Sequence, residues 1–200
     1  MAVTLSKLPL PWQAKLSLID FGIDQAGAAG GARQRDVRVG SRWAATFAAS
    51  AGLQPTDARK LIAARLAARA AGSTVIAPFP QPQGAPALGS PVVAGGGQAG
   101  GVLTVRGLTA GVTVGAGLWF SFSVGARSFL YMTVAAPTAD GSGNATLPIA
   151  PWLRAPPADG AALDFLAPKI EGFIQAMAED WTLDMLVAFG VPSFTIQELQ

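Results

Sequence analysis

Between Gly95 and Pro157 the chain never runs far without a structure breaker. GGGQAGGVLTVRG is followed by LWFSFSV, ARSFLYMTVA and DGSGNATLPIAPWLRAPP, short apolar runs parted by Gly, Pro and Asx turns. Strands joined by tight turns hide runs of this length, so the stretch predicts a small antiparallel β unit. Its extent suits a five-stranded barrel or small sandwich. Trp119, Ser121 and Ser123 alternate with Leu118, Phe120, Phe122 and Val124, and Phe129, Tyr131 and Thr133 alternate with Leu130 and Met132. Each of these two strands therefore has one core face and a second face that is only partly polar.

The flanks follow other patterns. Residues 13–23 and 41–50 read as strands, with Leu16, Leu18 and Asp20 on one face of the first and Trp43, Ala45 and Phe47 on one face of the second. A long polar connection carrying Arg33, Arg35, Asp36 and Arg38 joins them. Residues 54–71 predict a helix: Ala, Leu, Arg and Lys dominate, Pro55 suits its first turn, Asp57 its N-terminal dipole and Gly72 its stop. Leu61, Ile62 and Leu66 define its apolar side, and Arg65 and Arg69 lay their stems beside it. Arg59, Lys60, Arg65 and Arg69 read as a wet cationic rim. A short strand over Thr74–Pro78 leads into a linker where Pro78, Pro80, Pro82, Pro86 and Pro91 bar helix and central strand alike. From Trp181 to Phe189 the every-second-residue spacing predicts a long half-buried strand, and Glu171–Asp180 could also form a short helix. That strand is expected to pair with the N-terminal ones, closing the sheet as the chain's last. Residues 1–80 with 168–200 would then form one discontinuous domain, and 81–167 an insertion within it.

Composition excludes much chemistry. The 200 residues include no His and no Cys, which removes the usual neutral-pH acid–base group, thiol nucleophiles, disulfides and His/Cys zinc sites. Charged residues make up 13% and the net charge is +2, so the chain lacks the basic footprint of a nucleic-acid binder. Apolar runs break well before the ~18 residues a membrane helix needs. MAVTLSKLPLPWQ has no unbroken apolar h-region, so export by a signal peptide is not expected. A charge-poor, Ala/Gly-rich surface points to subunit packing.

Individual motifs support no catalytic or ligand site. Gly95, Gly97 and Gly100 match GxGxxG, but a strand follows instead of a helix and no acid appears before Asp140. These glycines suit a close crossing of chains. Asp140, Ser142 and Asn144 resemble the start of a calcium loop, yet Pro151 stands where the glutamate should be, and a hairpin turn accounts better for DGSGN. Asp24, Asp159 and Asp164 lack an acidic partner at helical or strand spacing, and Glu179 and Asp180 should diverge in a strand. GxSxG does not occur, and without His no serine triad can assemble. No cofactor or metal is expected. Trp119, Phe120, Phe122, Phe129 and Tyr131 are either core or an aromatic platform for a sugar or single-stranded nucleic acid, and core packing is the better reading.

The order of segments resembles the distal tail proteins of long-tailed, non-contractile bacteriophages and their prophage relatives. It is carried by RWAATFAASAGLQPTDARKLIAARLAAR, PFPQPQGAP, GGGQAGG, LWFSFSVGARSFLYMT, DGSGNATLPIAPWLRAPPADGAAL and FIQAMAEDWTLDMLVAFGVPSFTIQEL. The resemblance implies a mainly β fold: a tail-tube-like β sandwich or split barrel with one flanking helix, and an inserted small barrel of the oligonucleotide/oligosaccharide-binding type. It also implies a non-enzymatic virion protein, made in the host cytoplasm, that forms a hexameric ring at the distal end of the tail. That ring would join the tail-tube protein to the baseplate hub or tip, without membrane contact or nucleic-acid sequence recognition. The resemblance also implies a part in host attachment, although the family's usual polar turn between the two aromatic strands is here the short VGARS, which weakens receptor binding by the insertion. In a head-to-tail ring, Arg33, Arg35 and Arg38 are candidates for one interface patch and Glu171, Glu179 and Asp180 for the other. The alternatives are a carbohydrate-binding module using the aromatic barrel face, or a hydrolase with an unrecognised carboxylate pair.

Overall fold

The computed structural model describes residues 2–5, 12–27, 30–49, 55–81, 86–175, 182–183, 189–190 and 193–199. The protein is mainly β, with one helix among the described residues. The strands are β1 (Val3–Thr4), β2 (Trp12–Ile19), β3 (Ile23–Gln25), β4 (Gln34–Asp36), β5 (Arg42–Ala49), β6 (Val75–Pro78), β7 (Gly89–Val93), β8 (Gly100–Leu108), β9 (Trp119–Val124), β10 (Arg127–Thr133), β11 (Ala145–Leu153), β12 (Lys169–Gln175), β13 (Thr182–Leu183), β14 (Phe189–Gly190) and β15 (Phe194–Glu198). Helix α1 (Pro55–Ala70) lies between β5 and β6.

Strands from both ends of the chain build a six-stranded sheet in the order β1-β6-β12-β15-β5-β2. β2 and β5 pair antiparallel from Trp12↔Ala49 to Ile19↔Arg42, and β15 adds to β5 from Phe194↔Phe47 to Gln197↔Ala44. Alternation sends Trp43, Ala45 and Phe47 into the core, where they meet Val75, Ala77, Ile170, Phe194 and Ile196. β12 pairs with β6 over Lys169–Gly172 and with β15 over Gly172–Gln175, so Gly172 alone belongs to both ladders.

Helix α1 ends in a Schellman closure at Gly72, whose φ is +57°: Ser73 N–H donates to the Ala68 carbonyl and Gly72 N–H to that of Arg69. Its buried stripe is Ala58, Leu61, Arg65 and Ala68, whereas Leu66 is exposed. The expectation that Leu66 sits on the packing side is therefore corrected. The small alanines let the Arg65 stem lie inside, with its guanidinium 4.7 Å from the Phe194 ring centre.

The run from Trp181 to Phe189 is not one strand. Its described ends, β13 and β14, pair with each other antiparallel, which a continuous strand cannot do. Trp181 and residues 184–188 lie outside the described residues. The Glu171–Asp180 part begins as strand β12, and residues 176–180 lie outside the described residues.

The central segment forms a five-stranded antiparallel sheet in the order β7-β8-β11-β10-β9. Residues 161–164 bridge its two edges. On one side Val93 N–H donates to the Ala161 carbonyl and Leu163 N–H to that of Pro91; on the other, Ser121 and Asp164 exchange both backbone bonds. The seam gives both edges hydrogen-bonding partners and encloses a core of Leu103, Val105, Phe120, Phe122, Tyr131, Leu147 and Phe165. Phe122 and Tyr131 stack with ring centres 5.1 Å apart. Pro91 lies on this seam in β7, where its carbonyl accepts from Leu163 N–H and it has no N–H to return the bond.

Candidate assembly surface

The six-stranded sheet ends at β2, whose outer edge has no strand partner among the described residues. From this edge the chain runs into an arm, residues 20–41, that carries the two-stranded ladder β3–β4 from Ile23↔Asp36 to Gln25↔Gln34. Asp20 anchors the root of the arm. Its Oδ1 accepts from Gly22 N–H (2.8 Å) and Ser41 Oγ (3.0 Å), and its Oδ2 faces the Arg35 guanidinium. The Gly22 amide first, then Ser41 and Arg35, hold its carboxyl below the usual aspartate range. Arg35 also reaches Asp24 at 3.2 Å, and the Arg42 guanidinium lies 5.0 Å from the Phe21 ring centre.

Polar contacts thus shape the arm, while apolar side chains face outward. Phe21, Ile23, Val37 and Val39 are exposed, as is Leu18 on β2; Val39 is 51% exposed. Apolar groups on an open strand edge are the feature that most often draws in another chain. The pattern of the sequence marked the arginines of this connection and passed over its aliphatic residues, although VRV at 37–39 was a visible signal.

The charged residues expected at an interface separate. Arg33, Arg35 and Arg38 are exposed on the arm, Arg35 is paired with Asp20 and Asp24, and Arg38 Nε is 3.9 Å from Asp36. Glu171 does not reach the surface. It is 5% exposed and accepts from Thr74 Oγ1 and Ser128 N–H, both at 2.8 Å, so its carboxylate is spent inside the subunit. Glu179 and Asp180 lie outside the described residues.

The aromatic strand residues also lie inside. Phe120, Phe122, Phe129 and Tyr131 are buried in the core of the five-stranded sheet, and Trp119 packs against Trp43 and Phe79 with ring centres 5.1 and 5.0 Å away. These side chains present no open platform. Asp140 organises its own turn, accepting from the amides of Asn144 and Ser142, and these bonds, those of Asn144 first, lower its pKa. The Gly95–Gly97 loop crosses residues 157–159 closely: Gly95 N–H donates to Asp159 and Gly97 N–H to the Pro157 carbonyl.

Two hollows remain. An apolar cleft of about 580 Å³ lies along residues 86–92 and 162–166. A second, of about 380 Å³, is lined by Ser121, Ser128, Asp164, Lys169 and Glu171. Its acids are engaged: Glu171 as above, and Asp164 with the Ala167 amide at 2.8 Å and Lys169 Nζ at 3.9 Å. No group of three potential metal ligands occurs among the described residues, and no helix there is long and apolar enough to cross a membrane. No protein-family model matches the chain, and no curated protein matches it.

Proposed function

We propose that this chain is a structural subunit of a bacteriophage tail, forming a ring, hexameric in the simplest case, at the distal end of the tail tube. It acts by shape and not by turnover. The observation that carries the assembly reading is the β2 edge, without a strand partner among the described residues, continued by an arm whose Phe21, Ile23, Val37 and Val39 are exposed. A head-to-tail ring needs two different patches on each subunit, and a strand edge with a protruding arm provides one of them. The resemblance in segment order supplies the phage tail as the setting. Within it, the ring would contact the tail-tube protein on one side and the baseplate hub or tip on the other.

Light scattering coupled to size exclusion, with negative-stain imaging, tests the reading. The purified chain should form closed rings, and Ile23→Glu with Val39→Glu should disperse them while the circular dichroism stays that of the parent. In purified virions a tagged copy should mark the tail end away from the head. A parent chain that stays monomeric at high concentration and is absent from virions would overturn the proposal.

A further inference from the structure

The barrel strand β10 is only half served by its own sheet. It pairs with β9 from Arg127↔Val124 to Met132↔Trp119, but with β11 only at Met132 and Thr133. Thr133 N–H donates toward β9, to the Leu118 carbonyl, so by the strand's two-residue alternation the amides of Ser128 and Leu130 point the other way. Both residues are buried, and buried amides without acceptors are strongly disfavoured.

The other lobe provides the acceptors. Glu171 on β12 takes Ser128 N–H at 2.8 Å, and Glu198 on β15 takes Leu130 N–H at 2.8 Å. The second oxygen of Glu198 accepts from Trp43 N–H at 2.9 Å, so a single carboxylate joins strand β5 of one sheet to strand β10 of the other. Arg154, at the end of β11, places Nη2 2.8 Å from Glu198 Oε1; both side chains are 1% exposed. Its Nη1 donates to the Leu199 carbonyl, and its guanidinium lies over the Phe129 and Tyr131 rings.

Other contacts span the same junction. Leu130 is fully buried in the core of the six-stranded sheet, and Trp119 packs on Trp43. The two connecting segments are tied down as well. Gln81 exchanges hydrogen bonds with the main chain of Trp119, and Phe79 N–H donates to the Pro168 carbonyl.

We propose that Glu171, Glu198 and Arg154 form a latch that makes the inserted barrel and the six-stranded sheet one rigid, cooperatively unfolding body. Without the glutamates the barrel's own fold is incomplete, and without Arg154 the Glu198 carboxylate is a buried charge lacking its counterion. The barrel is therefore held in a set direction and does not swing on its linkers.

Amide hydrogen exchange on the full-length chain tests this, with Glu198→Gln compared with the double variant Arg154→Met/Glu198→Gln. Glu198→Gln should speed exchange at Leu130 and Trp43 at least tenfold. It should also speed Val105 and Ile149 in the barrel and Ala45 and Ile196 in the sheet by one common factor. The double variant, which removes both charges and keeps a side-chain carbonyl as acceptor, should recover part of that protection. Should Glu198→Gln fail to fold, the double variant still folding supports the latch, and its failing equally overturns it. Barrel and sheet amides accelerating by different factors, or no acceleration anywhere, would also overturn it.

Discussion

A Cβ added to Gly172 would overlap the carbonyl oxygen of Gln197 on the neighbouring strand. Gly172 is the residue where β12 passes from the β6 ladder to the β15 ladder, and the two backbones approach too closely there for any side chain. The next residue on β15 is Glu198, so the glycine also sets where that carboxylate stands.

Gly172→Ala should therefore destabilise the fold by about 3 kcal/mol or more, through overpacking against backbone that has nowhere to move. Urea unfolding followed by tryptophan fluorescence measures the change. A loss under about 1 kcal/mol would show that the branch point relaxes easily.

Arg106 and Asp159 form a surface pair at 2.6 Å, and Gly95 N–H donates to the same carboxylate. The Arg106 guanidinium first, then the Gly95 amide, lowers the Asp159 pKa from 3.8 to about 2. A depressed carboxylate contributes stability that is present above its unfolded pKa of 3.8 and is lost as pH falls through about 2. Carboxyl-carbon NMR titration should find Asp159 near that value in the parent and clearly higher in Arg106→Ala. An unchanged midpoint would assign the depression to the loop amides alone.

Helix α1 allows a contrast between two positions two residues apart. Leu66 is 41% exposed and Ala68 is 1% exposed. Leu66→Lys should change stability by no more than about 0.5 kcal/mol, as is usual at an open surface position. Ala68→Leu should cost about 1–3 kcal/mol, because the helix has no space for three more carbons on that face. Thermal unfolding of the two variants should show this order, and the reverse order would restore the face predicted from the sequence.

Much of the architecture was legible because it is local. Trp43, Ala45 and Phe47 share a face by simple alternation, and Pro55, Asp57 and Gly72 mark the ends of a helix by backbone and dipole chemistry alone. The paired strands β9 and β10 follow from the aromatic alternation around VGARS. The partly polar second face of those strands also has its explanation: Trp119 and Leu130 turn toward the other sheet.

What alternation could not reveal was that Thr182–Leu183 and Phe189–Gly190 are separate strands paired with each other, since an apolar period is the same in one strand as in two. Nor could it mark Glu171, Glu198, Arg65 and Arg154 as interior residues. In sequence a charge reads as exposed, and only its partners make burial tolerable. The Trp43 amide and the Glu198 carboxylate meet across 155 positions of chain.

By itself the sequence determined the classes of chemistry that side chains leave open and the identity of the helix and of several longer strands, β2, β5, β9 and β10 among them. Both follow from side-chain type and from spacing over a few residues. Only the tertiary structure decided which charges are interior, which apolar groups stay exposed on the arm, and how one sheet completes the other. Those outcomes depend on contacts between distant segments, where the cost of burying a polar group is met by a partner that no local pattern announces.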